Sequence, residues 1–182
     1  MTPTAYARVL LGSLGREELQ PANDERGAAL LWAQSGAMWL SGHADGPARS
    51  CPAPLAACAQ GAWLALSALR PRHCDPRFDA YRLLGERAAI AGLGRRGRVS
   101  AGGGCHLLDT ADGALALNLA RDDDHELLPA WLEQPVAGMG ELAEILRARP
   151  TMALVQRARL LGLAAAALVA PRPRRAWFHA RR

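Results

Sequence analysis

The chain has 182 residues, half of them hydrophobic and about a fifth charged, which provides for one domain with its own core, or such a domain with an appendage, and excludes global disorder. The net charge of +5 suggests a nucleic-acid partner only until it is located. Arg172, Arg174, Arg175, Arg181 and Arg182 lie in residues 171–182 without an acid, and the remaining basic and acidic residues balance, so basicity belongs to the tail and nucleic acid is not the expected partner of the body.

Every basic residue is Arg and none is Lys, which together with the abundant alanine reads as composition bias. The longest apolar run, Leu160–Ala170, is interrupted by Gly162 and falls short of the ~20 residues that span a bilayer. The first residues lack the basic start and apolar stretch of a signal peptide. A cytoplasmic protein with no membrane partner is expected, its four cysteines (Cys51, Cys58, Cys74, Cys105) reduced.

Residues 4–14 read as a short helix with Leu10, Leu11 and Leu14 on one face. The loop over residues 21–25 offers Asn23 as an N-cap, with Asp24 and Glu25 placed against the helix dipole. The helix so opened carries Leu30, Leu31, Gln34 and Met38 and runs towards Leu40, until Asp45-Gly46-Pro47 makes a turn. Pro54 opens a helix over Leu55–Leu69, whose Ala56, Ala57, Ala59 and Gly61 let another backbone or a ligand come close. Asp75-Pro76 predicts a further start, with Phe78, Tyr81, Leu84 and Ala88 at helical spacing as far as Gly92 and Gly94. The basic loop Arg95-Arg96-Gly97-Arg98 follows.

Beyond it the period changes. Residues 105–110 and 114–120 alternate around Ala111-Asp112-Gly113, a hairpin signal with Leu115, Leu117 and Leu119 on one face. Asp122-Asp123-Asp124 caps a helical stretch through Trp131 that Pro129 divides or kinks. Residues 141–149 form a helix stopped by Pro150; Thr151 caps another through Leu161, with Gly162 at its C′ position. Leu163–Ala170 reads as a last strand or the start of a further element. The expected class is α/β of an α+β-like kind, mostly helical with a small hairpin sheet. The expected organisation is a helical segment at 1–31, a domain at 32–170 and a basic tail at 171–182.

Several constellations invite chemistry. His73-Cys74 and Cys105-His106 supply zinc-ligand types, but neighbours on a strand face opposite ways and neither pair has zinc-knuckle spacing, so no metal site is expected. Asp122, Asp123, Asp124 and Glu126 sit where a helix begins and read as caps. Ser35 and Ser41 have no evident His–acid partners. Ala101-Gly102-Gly103-Gly104, preceded by Arg95, Arg96 and Arg98, could turn backbone N–H groups on an anion beside guanidinium groups suited to phosphate or carboxylate. It fits neither the dinucleotide fingerprint nor the P-loop, and taken alone it reads as a flexible connection. Trp177 and Phe178 among the tail arginines have the make-up of a nucleic-acid arm, but a solvated tail is expected beside a neutral body.

Stretches in one order resemble the family III CoA-transferases, which include formyl-CoA transferase, the carnitine CoA-transferases and 2-methylacyl-CoA racemase. Ser35-Gly36-Ala37-Met38, Ser41-Gly42 and Asp45-Gly46-Pro47 resemble the segment before that family's catalytic carboxylate. Pro54-Leu55, Gly61 and Ala65–Leu69 resemble the helix after it. Gly102, Gly103 and Gly104 are similar to the glycine loop that closes over the intermediates in formyl-CoA transferase. Residues 110–117 resemble the hairpin that opens the small domain, and residues 156–163 the helix near its end. The resemblance spans about residues 30–170 and implies the small domain and adjoining helices of such an enzyme.

It also implies an Asp that attacks an acyl-CoA thioester, giving a mixed anhydride and then an aspartyl-CoA thioester. Ala57 stands at the position expected to hold that Asp, and a methyl group forms no anhydride, so no catalytic residue is assigned. The family's Rossmann-type half, with most of its CoA contacts, needs more chain than the residues before Trp32 provide. Three readings follow. The first is a partner-dependent CoA-transferase-like protein with no bound cofactor, a coenzyme A thioester as substrate, and a homo- or hetero-oligomeric partner chain supplying the Rossmann half. The second is a non-catalytic interaction or remnant protein of the same fold, and the third an Arg-tail nucleic-acid binder.

Overall fold

The computed structural model describes residues 1–170; the tail expectations, Trp177 and Phe178 included, lie outside the described residues. The fold is mixed helix and strand, with a three-stranded antiparallel sheet. The chain forms two compact units, one spanning Met1–Arg95 and the other beginning at Arg96. That boundary falls in the basic loop, inside the stretch 32–170. No helix among the described residues is long and apolar enough to cross a membrane.

The first unit is helical: α1 (Pro3–Ser13), α2 (Ala28–Gln34), α3 (Leu55–Leu69) and α4 (Leu83–Ile90). Helix α1 begins at Thr2, whose hydroxyl accepts from the Ala5 N–H, with Pro3 in the first turn where its missing N–H costs nothing. It ends at Gly15, φ +66°: the Gly15 N–H reaches the Gly12 carbonyl and the Arg16 N–H that of Leu11, the two bonds of a Schellman cap. Helix α3 starts at Leu55, with Pro54 just outside it as N-cap. Its buried positions Ala57, Gln60, Gly61 and Leu64 follow a spacing of three and four, one face of a helix. Ala65 and Leu64 meet Ala7 and Leu11 of α1, and Ala56 and Ala57 meet Leu31 of α2 and Tyr81.

Three expectations for this unit are corrected. Asn23 does not cap α2; its N-cap is Gly27. The preceding residues are held extended because the Asp24 N–H donates to Thr4 Oγ1 at 2.7 Å while its carboxylate takes the Arg26 N–H and guanidinium. Helix α2 stops at Gln34 rather than running to Leu40, because Gly36 takes φ +75° and a separate 3-10 turn follows over Ala37–Leu40. Asp75 does not start a helix. Its carboxylate closes on the Arg77 N–H and guanidinium, and α4 begins only after a 3-10 turn at Ala80–Arg82.

The second unit contains β1 (Cys105–Thr110), β2 (Gly113–Asn118), α5 (Asp122–Glu126), α6 (Leu128–Leu132), α7 (Met139–Arg147), α8 (Thr151–Leu160) and β3 (Ala164–Ala167). β1 and β2 make the expected hairpin, Thr110 opposite Gly113 across Ala111-Asp112, and β3 pairs antiparallel with β2 as Leu117 faces Ala165. Leu115 and Leu117 of β2 enter a core with Trp131, Leu142, Leu146 and Val155. Trp131 is fully buried, and its indole N–H donates to the Leu154 carbonyl at 2.9 Å, so the burial leaves no orphan donor. The acids of α5 act as expected at its start: buried Asp124 accepts from the Arg121 N–H at 2.9 Å and from the Arg121 guanidinium. Pro129 divides the stretch, α5 ending at Glu126 and α6 beginning at Leu128.

The expected cap by Thr151 is also corrected. Thr151 is the first residue of α8, with Pro150 outside it, and the acceptor for the helix start comes from the hairpin. Asp112 Oδ1 accepts from the Thr151 N–H at 2.7 Å and its hydroxyl at 2.6 Å, and Thr151 Oγ1 lies 2.5 Å from Thr110 Oγ1. At the other end Gly162, φ +80°, and Leu163 complete a Schellman cap on Arg159 and Ala158, which turns the chain into β3.

Two outcomes test these contacts. A Cβ at Gly61 would stand 2.5 Å from the Pro3 carbonyl oxygen and 2.9 Å from Tyr6 Cβ. Gly61→Ala should therefore lose about 1–3 kcal/mol in urea unfolding, the cost of overpacking, despite alanine's advantage of about 1 kcal/mol in helix interiors. Undiminished stability would mean that α1 can draw away from α3. The Thr151 hydrogen bonds hold the Asp112 carboxyl below its ordinary range, so its stabilisation is present above the unfolded-state pKa and lost as pH falls through the folded one. Asp112→Ala should unfold at lower urea than wild type at pH 7, with the gap closing in acid; a gap independent of pH would rule out the carboxylate as the acceptor.

Candidate functional site

Ala57, at the position of the expected nucleophile, lies in the first turn of α3, fully buried against Leu31 and Tyr81. Its side chain belongs to the packed interior. Tyr81 is fixed from outside by Arg26, whose guanidinium carbon lies 5.0 Å from the ring centroid and which also donates to the phenol oxygen at 3.4 Å. Arg26 is itself bound to Asp24 at 2.6 Å, and this contact holds the Asp24 carboxyl below its ordinary range and raises the guanidinium pKa. Asp24 and Arg26 thus satisfy each other.

Several cavities open elsewhere in this unit. One, of about 320 Å³, runs past Ser35, Gly36, Trp39, Arg82 and Glu86. Gly85 forms its floor at such close range that a Cβ there would stand 2.6 Å from the Ser35 carbonyl oxygen. Trp39 is two-thirds exposed, with the Arg95 guanidinium carbon 5.5 Å from its ring centroid. Ser35 is buried and spends its hydroxyl on the Trp32 carbonyl and the Ala37 N–H, which leaves it no role as a nucleophile. A second cavity, also about 320 Å³, is lined by Asp24, Arg26, Gln60 and Arg77. Gln60 is buried; its Nε2 donates to the Phe78 carbonyl at 3.0 Å while Oε1 has no partner among the described residues. No sequence signal marked Gln60, because a polar residue on a small-residue helix looks like any other until its burial is known.

The glycines of the expected substrate loop lie in the second unit. They form a hydrogen-bonded turn, not the flexible connection expected of a glycine run. The Gly103 N–H donates to the Ser100 carbonyl at 2.8 Å, the Ser100 N–H to that of Cys105 at 2.8 Å, and the Cys105 N–H to Ser100 Oγ at 3.0 Å. Arg98 and Ser100 thereby become an extra extended edge on β1, with the Leu107 N–H on the Arg98 carbonyl and Val99 bridged to His106. Gly103 favours glycine by its φ of +85°, and the Arg96 guanidinium lies over it, one nitrogen 2.7 Å from where a Cβ would stand. Gly104 packs on Ala120, 3.0 Å from where its Cβ would be, and Gly102 is open.

His73 and Cys74 belong to the first unit, and Cys105 and His106 to the second. Among the described residues no group of three or more His, Cys, Asp or Glu is arranged to hold a metal.

No protein-family model matches the chain, and no curated protein does. Solved structures do match it. The crystal structure of a hypothetical protein (Rv3272) from Mycobacterium tuberculosis is similar with a TM-score of 0.58 and 17% identity, over 80% of this chain and 47% of that one. The likeness is one of fold, and the chain spans about half the length of that neighbour.

The packing around Ala57 sets a direct test. Ala57→Asp should destabilise the protein by about 3 kcal/mol, because the carboxylate would enter an apolar cluster without a donor. Burial would hold its pKa above the unfolded value, so the loss should grow as pH rises through the carboxylate range. A variant that unfolds at the wild-type urea concentration at both pH 5 and pH 8 would show that the position opens to solvent.

Proposed function

We propose that this chain is a family III CoA-transferase-like module, cytoplasmic, that works with a second chain and does not itself carry the covalent step. The observation that supports this most is the ordered series from Ser35-Gly36 through the α3 helix and the glycine turn to the 110–117 hairpin, with Ala57 at the nucleophile's place. A fold that corresponds to about half of a longer solved chain is compatible with a module that a partner completes. In this reading the partner supplies the Rossmann half, most of the CoA contacts and the carboxylate, and the substrate is a coenzyme A thioester. Gly102, Gly103 and Gly104 form the loop nearest the reacting groups.

A second reading has its own support. Ala57 is fully packed, and the acid and base beside Tyr81 are paired with each other. A chain kept for interaction alone, with the fold and no chemistry, would tolerate this arrangement as it stands.

Co-purification with the product of a neighbouring reading frame that encodes a Rossmann half, followed by calorimetry with acetyl-CoA, separates the two. The transferase reading expects acetyl-CoA binding by the complex and none by the chain alone. Binding of neither the partner nor acetyl-CoA would overturn it, and partner binding without acyl-CoA binding would favour the interaction protein.

A further inference from the structure

We propose that the glycine turn Ser100–Cys105 is an anion site for a phosphate group, held by the Arg96 guanidinium, the imidazole of His106 and the N–H groups of Gly102 and Gly104. Arg96 is exposed and makes no ion pair among the described residues, unlike Arg98 next to it, which is bound to Asp109 at 2.6 Å. Its guanidinium is nonetheless laid against the turn, with one nitrogen 2.7 Å from the point a Gly103 Cβ would occupy. His106 is bridged to Val99 beside the turn, with the Gly103 carbonyl and Arg96 in the surroundings of its ring. The Gly102 and Gly104 N–H groups have no acceptor among the described residues, whereas those of Gly103 and Cys105 are both used inside the turn.

The electrostatics agree with this geometry. Burial, then His125 and then Arg96 push His106 down from its ordinary pKa, so it shares its surroundings with a second imidazole and a guanidinium. The acids close to His125 are on its own helix: Asp122, Asp123 and Glu126 are exposed, and Asp124 is bound to Arg121. A cationic group and ionisable imidazoles beside unused N–H donors suit a compact anion with several oxygens better than a flat carboxylate. Phosphate would stabilise the His106 imidazolium, so the contribution of His106 to binding should be larger at pH 6 than at pH 8. The inference does not rest on the transferase reading, since a chain that binds no acyl-CoA can still hold phosphate here.

Titration of the full chain with inorganic phosphate at constant ionic strength, followed by ¹H–¹⁵N NMR, tests it. Saturable shifts are expected at the Gly102 and Gly104 amides and the His106 ring, with acetate at least tenfold weaker. Arg96→Gln should weaken phosphate at least tenfold, while Arg8→Gln in the first unit should leave it unchanged. Equal affinity in Arg96→Gln, equal affinity for acetate, or shifts confined to residues 171–182 would each overturn the proposal. His106→Gln provides the second variant: its loss of affinity relative to wild type should be greater at pH 6 than at pH 8, and an equal loss at both would overturn the part assigned to His106.

Discussion

The first unit depends on backbones that meet where no side chain can stand. Helix α3 crosses α1 at Gly61, against the Pro3 carbonyl, and α4 meets the Ser35–Gly36 corner at Gly85. Each contact removes one wall of side chains and lets the neighbouring residues close around it at interior density. Ala57 lies four residues before Gly61 on the same buried face of α3, against Leu31 and Tyr81. Its small size is accounted for by packing alone.

The second unit is held by a different device. The hairpin loop offers Asp112 to the first turn of α8, Thr110 and Thr151 meet through their hydroxyls, and the far end of α8 turns at Gly162 into β3, which returns to β2. One polar contact and one glycine cap thus fix both ends of the helix against the sheet it covers. Between them Val155 and Ala158 enter the core with Leu115, Leu117 and Trp131. Trp131 of α6 and Leu142 and Leu146 of α7 complete the cover of the β2 face, while β1 contributes no fully buried hydrophobic residue.

Local signals were legible where the responsible residues are neighbours in sequence. Ala111-Asp112 between alternating runs fixed the hairpin, Gly162 the end of α8, Pro129 the division between α5 and α6, and Pro54 the approach to α3. What failed was decided by distant partners. Asn23 looks like a cap, but Thr4, about twenty positions earlier, claims the adjacent backbone at Asp24. Asp75 resembles a helix start, yet its carbonyl receives the Trp63 indole N–H and its carboxylate closes on Arg77. Thr151 carries the right side chain for a cap, and Asp112, remote in sequence, takes that function. The glycine run was visible as a motif, but its order comes from Ser100 and Cys105 closing it, which composition does not reveal.

The placement of charge follows the same division between local and distant partners. Arg16, Arg77 and Arg147 pair with acids two or three positions away, and Arg98 and Arg157 with acids brought near by the fold. Exposed pairs of this kind stabilise little, but each cancels part of the field of its arginine. The basic loop departs from this pattern. Arg95 is set over the Trp39 ring and Arg96 against Gly103, neither with an acid among the described residues. The net charge of the whole chain therefore says little about its chemistry. What matters is that Arg96, which makes no ion pair among the described residues, is laid against a turn whose Gly103 has a positive φ.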